Sequence, residues 1–306
     1  MARPSIEDLA KIGLETAPQC GTPDNPVEIE QSFPKSAERE NLAVKEDLTR
    51  ARLASKAADA STKPTNKAKS TELAVKLDYA SRGDDPPPTP ASSSHMEVHR
   101  SAIRHHVSEF LRSGSTEVYA FSILTEKGEM PIDQLNAQDA VEINERLRAD
   151  LKRCGATGAE GIIFAGIDGE YEVNSQQIRL HHHGIATGEM VEVVRRLRTL
   201  ATYKPIVRTL GGITRRTPAI RTQRIKLAEL ESAVTYVVKS FWPARWEGLM
   251  DGKYIRSGRK QRIPEPEHTR ILLWLDRWRL RDLTLLMGFC VTTQGLKLMR
   301  PPKNRP

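Results

Sequence analysis

Cysteine is scarce, long apolar runs are absent, and the first 96 residues hold a single phenylalanine and a single tyrosine. Each shortage excludes something. The three cysteines, Cys20, Cys154 and Cys290, are an odd number, widely separated and without a CxxC pair. That excludes a disulfide scaffold and a zinc-finger framework, and it fits a reducing compartment. The longest apolar run, LLMGFCV from Leu285 to Val291, is far too short to span a bilayer, and the N-terminus lacks the apolar core of a secretory signal. The expected location is the cytoplasm. The lack of apolar side chains before position 97, together with the Pro/Ser run RGDDPPPTPASSS, predicts that residues 1–96 are largely disordered. Such a segment buries too little apolar surface to offset its ordering entropy. Within it, SIEDLAKIGLE opens on a capping-box-like Ser5 and Asp8, and AERENLAVKEDLTRARLASKAADA has helix-forming composition. Neither shows a wide apolar face.

Negative charge is scarce in the last third. From Arg195 onward 25 Lys/Arg stand against 8 Asp/Glu, a net of +17 within a total of +8, so everything before Arg195 carries −9. A strongly cationic half favours a polyanionic partner, and nucleic acid is the commonest. The plain alternative is a solvated surface on which the acidic first half folds back. The candidate DNA-contacting cations are Arg215, Arg216, Arg221 and Arg224 in one basic stretch, and Lys253, Arg256, Arg259, Lys260 and Arg262 in another.

What is present is patterned over roughly Glu97 to Arg300. MEVHRSAIRHHVSEFLRSG puts Ile103, Val107, Phe110 and Leu111 on one helical face and closes on Gly114. EVYAFSILT has strand composition. NAQDAVEINERLRADLKRCG reads as a helix opening on Asn136, repeating Ala140, Ile143, Leu147 and Leu151, and stopping at Gly155. EGIIFAGI and QQIRLHHHGIAT are strand candidates joined through the polar DGEYEVNS, which suits a hairpin connection. GEMVEVVRRLRTLA and IKLAELESAVTYVVKSFW read as further helices, with the basic KPIVRTLGGITRRTPAIRTQR as a loop between them. The order predicts an α+β fold, an antiparallel sheet with packed helices. The expected domains are a largely disordered 1–96, a folded 97–243 that carries the motifs below and a basic helical extension, 244–306. In that extension Trp274 and Trp278 read as core residues, and LRDLTLLMGFCVTTQGLKLM loosely echoes a helix-turn-helix with Gly288 at the turn. Gln294 and Lys297 stand where that motif wants apolar residues.

Three consecutive histidines lie on the second hairpin strand. Strand parity sends His181 and His183 to one face, about 7 Å apart along the strand, and His182 to the other. Two imidazoles on one face can converge on a divalent ion if a third ligand arrives from a neighbouring strand. Asp168, Glu170 and Glu172 stand just before, and Asp168 is the preferred third ligand. His182 needs a polar partner or stays wet. The bland alternative is a polar strand with solvated histidines. His105 and His106 read as structural. In TYVVKSFW, Leu227, Leu230, Val234, Val238 and Phe241 define a buried helical face, leaving Tyr236 and Lys239 together on the other side. A tyrosine beside a lysine suits phosphodiester chemistry as a nucleophile-plus-cation pair, and it also suits an ordinary helix surface.

Taken in order, FSILT (Phe121 to Thr125), LHHHGIATG and YVVK resemble the HUH endonuclease superfamily of rolling-circle replication initiators, relaxases and transposases, over about Tyr119 to Trp242. The resemblance implies a central antiparallel sheet carrying the two-histidine strand, with the tyrosine helix laid across it. It implies a divalent metal, Mg or Mn, held by His181 and His183. It further implies nicking of single-stranded DNA by Tyr236 with a 5′-phosphotyrosine intermediate, Lys239 orienting the DNA or stabilising charge. The partner would be single-stranded DNA or a DNA origin, with host replication proteins as further partners, and the protein would be encoded by a mobile element or plasmid. A family member would usually carry an apolar residue where His182 stands. The rival readings are a non-catalytic basic DNA-binding protein of a mobile element, and a metal-binding interaction protein with no nucleic acid partner.

Overall fold

In the computed structural model, residues 4–12, 36–82, 88–114 and 117–299 are described. Among them the helices are α1 (Ser36–Ala60), α2 (Pro64–Ser81), α3 (Ser93–Ser113), α4 (Ala140–Arg153), α5 (Met190–Arg196), α6 (Leu230–Val237) and α7 (Glu267–Leu275). The strands are β1 (Val118–Pro131), β2 (Ile163–Glu172), β3 (Gln177–Thr187), β4 (Ile206–Leu210), β5 (Ile213–Thr217), β6 (Ile220–Arg224), β7 (Ala244–Arg245), β8 (Glu247–Met250), β9 (Lys253–Arg256), β10 (Thr284–Met287), β11 (Phe289–Thr292) and β12 (Gly295–Leu298).

Strict alternation along the β2–β3 hairpin builds the central sheet, whose strands run β10-β2-β3-β1-β6, all antiparallel neighbours, with short β7 added in parallel to β2. Residues directly opposite across the ladder share a face. On one face Ile163 and Ala165 of β2, Ala186 of β3 and Phe121 and Ile123 of β1 pack with Leu147 and Leu151 of α4 and Met190 and Val194 of α5. On the other face Phe164, Ile185 and Val118 pack under Ile103 and Val107 of α3 and Leu230 and Val234 of α6. The α+β class expected from the sequence is the one found, and the tyrosine helix lies on the same face as His181 and His183. Among the described residues no helix is long and apolar enough to cross a membrane. Cys154 and Cys290 are free thiols, and Cys20 lies outside the described residues.

The expected boundaries need correction at both ends. Of residues 1–96, taken as largely disordered, 36–81 form two packed helices. Ala51, Ala54 and Ala58 of α1 are buried, as are Ser70, Leu73, Leu77 and Ala80 of α2. Each set recurs every three or four residues, so the stripe is helical but narrow and made largely of small side chains, which contribute little to an apolar count. Leu73 and Leu77 meet Trp274 and Leu275 of α7 and Ile167 and Leu180 of the sheet in one cluster. Among its described residues the C-terminal region, taken as a helical extension, holds one helix, α7, and six strands. β10 is an edge of the central sheet, and the helix-turn-helix echo is in fact β10, β11 and β12, with Gly288 at φ +78 between the first two. Trp274 is fully buried, as expected of a core residue, and Trp278 packs partly buried against the same cluster. The basic loop before α6 is the β4–β5 hairpin followed by the sheet edge β6.

Two consequences are testable. Leu77→Ala should destabilise the whole protein by about 2–5 kcal/mol, the range for a fully buried leucine. Chemical denaturation would measure it, and an unchanged midpoint would mean that α2 is peripheral. His95, at the start of α3, is buried, and burial, reinforced by nearby His99, pushes its pKa down to about 4. The unfolded chain binds that proton below the ordinary 6.5 while the folded one does not, so stability should fall as pH drops from 6.5 towards 4. The slope from this residue is up to about 1.4 kcal/mol per pH unit. His95→Gln should flatten that part of a stability-versus-pH curve.

Candidate metal centre

Four strands, the helix α6 and one irregular segment bring the site together. Asp168 of β2 lies directly opposite His181 of β3, and Gly166 opposite His183, while Ser122 of β1 continues the His183 row and Arg221 of β6 ends it. All of these point to the face that carries α6. Asp168 Oδ2 sits 3.3 Å from His181 Nε2 and 3.2 Å from His183 Nε2, and the two Nε2 atoms are 2.9 Å apart. One ligand atom from each residue lies within 4.8 Å of the others, a spacing that a single ion can satisfy. Asp168, preferred from the sequence as third ligand, is therefore the residue that completes the cluster.

The surroundings fix the chemistry of each donor. His181 Nδ1 lies 2.9 Å from the Arg179 carbonyl, which can only accept, so Nδ1 carries a proton and Nε2 is the nitrogen turned towards Asp168 and His183. Burial, opposed by the Asp168 carboxylate, pushes His183 down to about 4, so its ring is neutral and able to ligate. Asp168 is only 2% exposed. Burial alone would raise its pKa, but the two imidazoles and the Lys239 ammonium, which bonds its Oδ2, hold it well below the usual carboxylate range. It stays ionised. His182 points to the opposite face, as parity requires. Asn144 Nδ2 donates to the Asp282 carbonyl at 2.7 Å, which leaves its Oδ1 to accept from His182 Nε2 at 3.1 Å. The awkward middle histidine thus has a buried polar partner on α4, and burial pushes its pKa down to about 3.

Tyr236 is in the last turn of α6 and 40% exposed. Its ring meets His183 edge to face at 4.6 Å between centroids, and Lys239 Nζ lies 3.6 Å from its centre. The helix was expected to run to Trp242, but it ends at Val237. Leu227 is exposed rather than part of the buried face, and Lys239 stands on the irregular segment beyond the helix. The two side chains remain together because that segment turns back towards Asp168. Gly166 makes the approach possible: a Cβ there would lie 2.2 Å from the Val237 carbonyl oxygen. His105 and His106 stay on α3, away from the site, and their rings pack edge to face at 5.2 Å.

Two cavities open at this point. A groove of about 940 Å3 lies between β6 and α6, and a smaller cavity of about 170 Å3 lies over Asp168 and the two histidines. Ser122, His183, Arg221 and Tyr236 line both. Of the expected DNA-contacting cations, Arg215, Arg221 and Lys260 line the smaller cavity and have no acidic partner among the described residues. Arg216, Lys253 and Arg259 are exposed. The remaining three are already paired, Arg224 with Glu117, Arg256 with Glu170 and Glu247, and Arg262 with Glu46.

The acids that follow Asp168 were unexpected in this role. DGEYE, read as part of a polar connection, is strand, and its alternation puts Asp168, Glu170 and Glu172 on the site face with Gly169 and Tyr171 behind. Period-two acids in sequence were the available signal. Glu170 faces Arg179 across the hairpin, and Arg179 bonds Glu129 at 3.0 Å as well as Glu247. Burial would lower the Arg179 pKa, but Glu247 and Glu129 hold it far above its ordinary value. Arg208 joins Glu129, and Arg245 and Arg256 join Glu170. This network docks the β4–β5 and β8–β9 hairpins beside the candidate metal ligands.

The chain matches no family model, no curated protein and no solved structure. The site therefore speaks through its own geometry. His181→Ala should weaken Mn2+ binding by at least about tenfold, read as free Mn2+ by electron paramagnetic resonance. Equal affinity in the variant would remove His181 from the ligand set.

Proposed function

We propose that this protein nicks and rejoins single-stranded DNA through a covalent bond to Tyr236, using a divalent metal at Asp168, His181 and His183, as its resemblance to the HUH endonucleases suggests. The observation that carries the reading is the convergence of those three ligands with the Tyr236 ring, packed on His183, where a large groove meets a basic cavity. Two imidazole nitrogens and one carboxylate suit Mn2+ better than Mg2+, which prefers oxygen donors throughout. When bound, the ion would polarise the non-bridging oxygens of the scissile phosphate.

The protein's own groups do the rest. Tyr236 Oη, losing its proton to solvent, bonds to phosphorus while the bond from phosphorus to O3′ breaks. The leaving oxygen takes up a proton, giving a free 3′-hydroxyl and a 5′-phosphotyrosine. Reversal by a 3′-hydroxyl rejoins the strand and frees the phenol. Lys239, above the ring, orients the DNA or stabilises charge on the phosphoryl group being transferred. Arg215, Arg221 and Lys260, lacking acidic partners among the described residues, neutralise phosphates on either side of the break. The same unpaired cations favour a second reading, a basic protein that binds DNA without cutting it. That reading gives no reason for a buried carboxylate shared by two imidazoles beside an exposed tyrosine.

Incubation with a broad pool of single-stranded oligonucleotides and Mn2+, scored on denaturing gels, separates the two. The expected result is a covalent protein–DNA adduct, lost in Tyr236→Phe while DNA binding persists. An adduct retained in the Phe variant would remove Tyr236 from the mechanism, and salt-sensitive binding without cleavage would favour the second reading.

A further inference from the structure

Lys239 is held by a segment with no regular structure of its own. α6 ends at Val237, Val238 leaves helical geometry at φ −117 and ψ 72, and residues 238–241 belong to no helix or strand. An arginine far away in sequence fastens this segment. Arg50 of α1, 2% exposed, donates from Nη2 to the Ser240 carbonyl at 2.8 Å and from Nη1 to the Ala91 carbonyl at 2.7 Å, while its Nε meets Glu46 at 2.8 Å. Arg100 of α3 adds a contact from Nη1 to Ser240 Oγ at 3.3 Å. One turn earlier on α1, buried Asp47 accepts from Ser92 Oγ at 2.9 Å and from the Ser93 and Ser94 amides at 2.6 and 2.9 Å, fixing the start of α3. Glu46 also pairs with Arg262. The stretch 46–50 thus ties α1 to α3, to the C-terminal region and to the residue next to Lys239.

We propose that Arg50 is a positioning residue for the site: by holding the Ser240 carbonyl it keeps Lys239 seated on Asp168 and over the Tyr236 ring. Asp168 Oδ2 is also the oxygen that faces both histidines, so the Lys239 ammonium and a divalent ion compete for it. Arg50 then sets how firmly Lys239 competes and where its charge sits relative to the phenol. A guanidinium suits this because its planar fork serves two carbonyls and a carboxylate at once, and a lysine in its place serves fewer. The inference rests on the metal reading of Asp168, His181 and His183, and only its rate prediction rests on the nicking reading.

A merely structural arginine and a positioning one differ in a single sign. Loosening the fold should weaken metal binding and slow the reaction together. Releasing Lys239 should tighten metal binding while slowing the reaction. In full-length Arg50→Lys, at a temperature where circular dichroism shows the native state, the expected result is Mn2+ binding tighter by at least about threefold, from reduced charge competition. Single-turnover adduct formation should be slower by about tenfold or more. Lys239→Met should also tighten Mn2+ binding, and adding Arg50→Lys to it should change the affinity no further. Unchanged or weaker Mn2+ binding in folded Arg50→Lys overturns the proposal, as does a full extra effect in the Lys239→Met background. Should Arg50→Lys not fold, Ser240→Ala, which removes only the hydroxyl that Arg100 Nη1 reaches, carries the same signs at smaller size, and unchanged affinity there counts against the proposal. Wild-type protein that binds no Mn2+ overturns the metal reading and this inference with it. Mn2+ binding without adduct sinks the nicking reading alone, and the affinity measurements still decide the role of Arg50.

Discussion

An ionised carboxylate in the interior of a sheet face has to be compensated on every side, and Asp168 is that carboxylate. A charge removed from water without partners costs several kcal/mol even after relaxation. The compensation comes from His181 directly across the hairpin, from His183 one pleat further along and from Lys239 beyond α6. Each partner imposes a condition on the fold. The hairpin must hold its register, α6 must end where it does, and the segment after it must return to the sheet. A register slip of one residue would send Asp168 to the opposite face and leave the histidines without it.

The same demand extends outward. Gly166 admits the end of α6 to the sheet because no side chain stands between its backbone and the Val237 carbonyl, and that close approach puts Tyr236 against His183. Further along the same face, Glu170, Glu129 and Glu247 are balanced by Arg179, Arg208, Arg245 and Arg256, which draw two hairpins down onto the sheet. Arginine is suited to such positions because it stays charged and bonds two acids at once. Arg215, Arg221 and Lys260, with no acidic partner among the described residues, face the cavity. A basic half thus divides into arginines that hold the structure and cations that remain available.

Much of the architecture is legible from periodicity. Apolar spacing marks α3, α4, α5, β2 and β3, and strand parity alone separates His182 from His181 and His183. What periodicity misses has a common physical cause. The stripe on α1 and α2 rests largely on alanine, serine and two leucines, so composition suggests too little burial, yet close helix packing makes use of small side chains. The DGEYE acids look like a polar turn because charge is expected in water, whereas here Lys239 compensates Asp168, three arginines compensate Glu170 and backbone amides hold Glu172. Beyond the end of α6, Lys239 bonds Asp168 and the Ser240 carbonyl accepts from Arg50, and neither contact is near in sequence.

The sequence by itself determined the α+β class, the face on which each histidine lies and the presence of a tyrosine and a lysine close together downstream. Local chain geometry is enough for these, because parity and helical pitch are properties of neighbouring residues. Only the tertiary structure decided that Asp168 stands opposite His181, that His182 bonds Asn144, that Tyr236 packs on His183 and that an N-terminal arginine braces the segment carrying Lys239. Those depend on strand register and on contacts between residues as much as 190 positions apart. Periodicity tells which way a side chain faces, and folding alone tells what it meets.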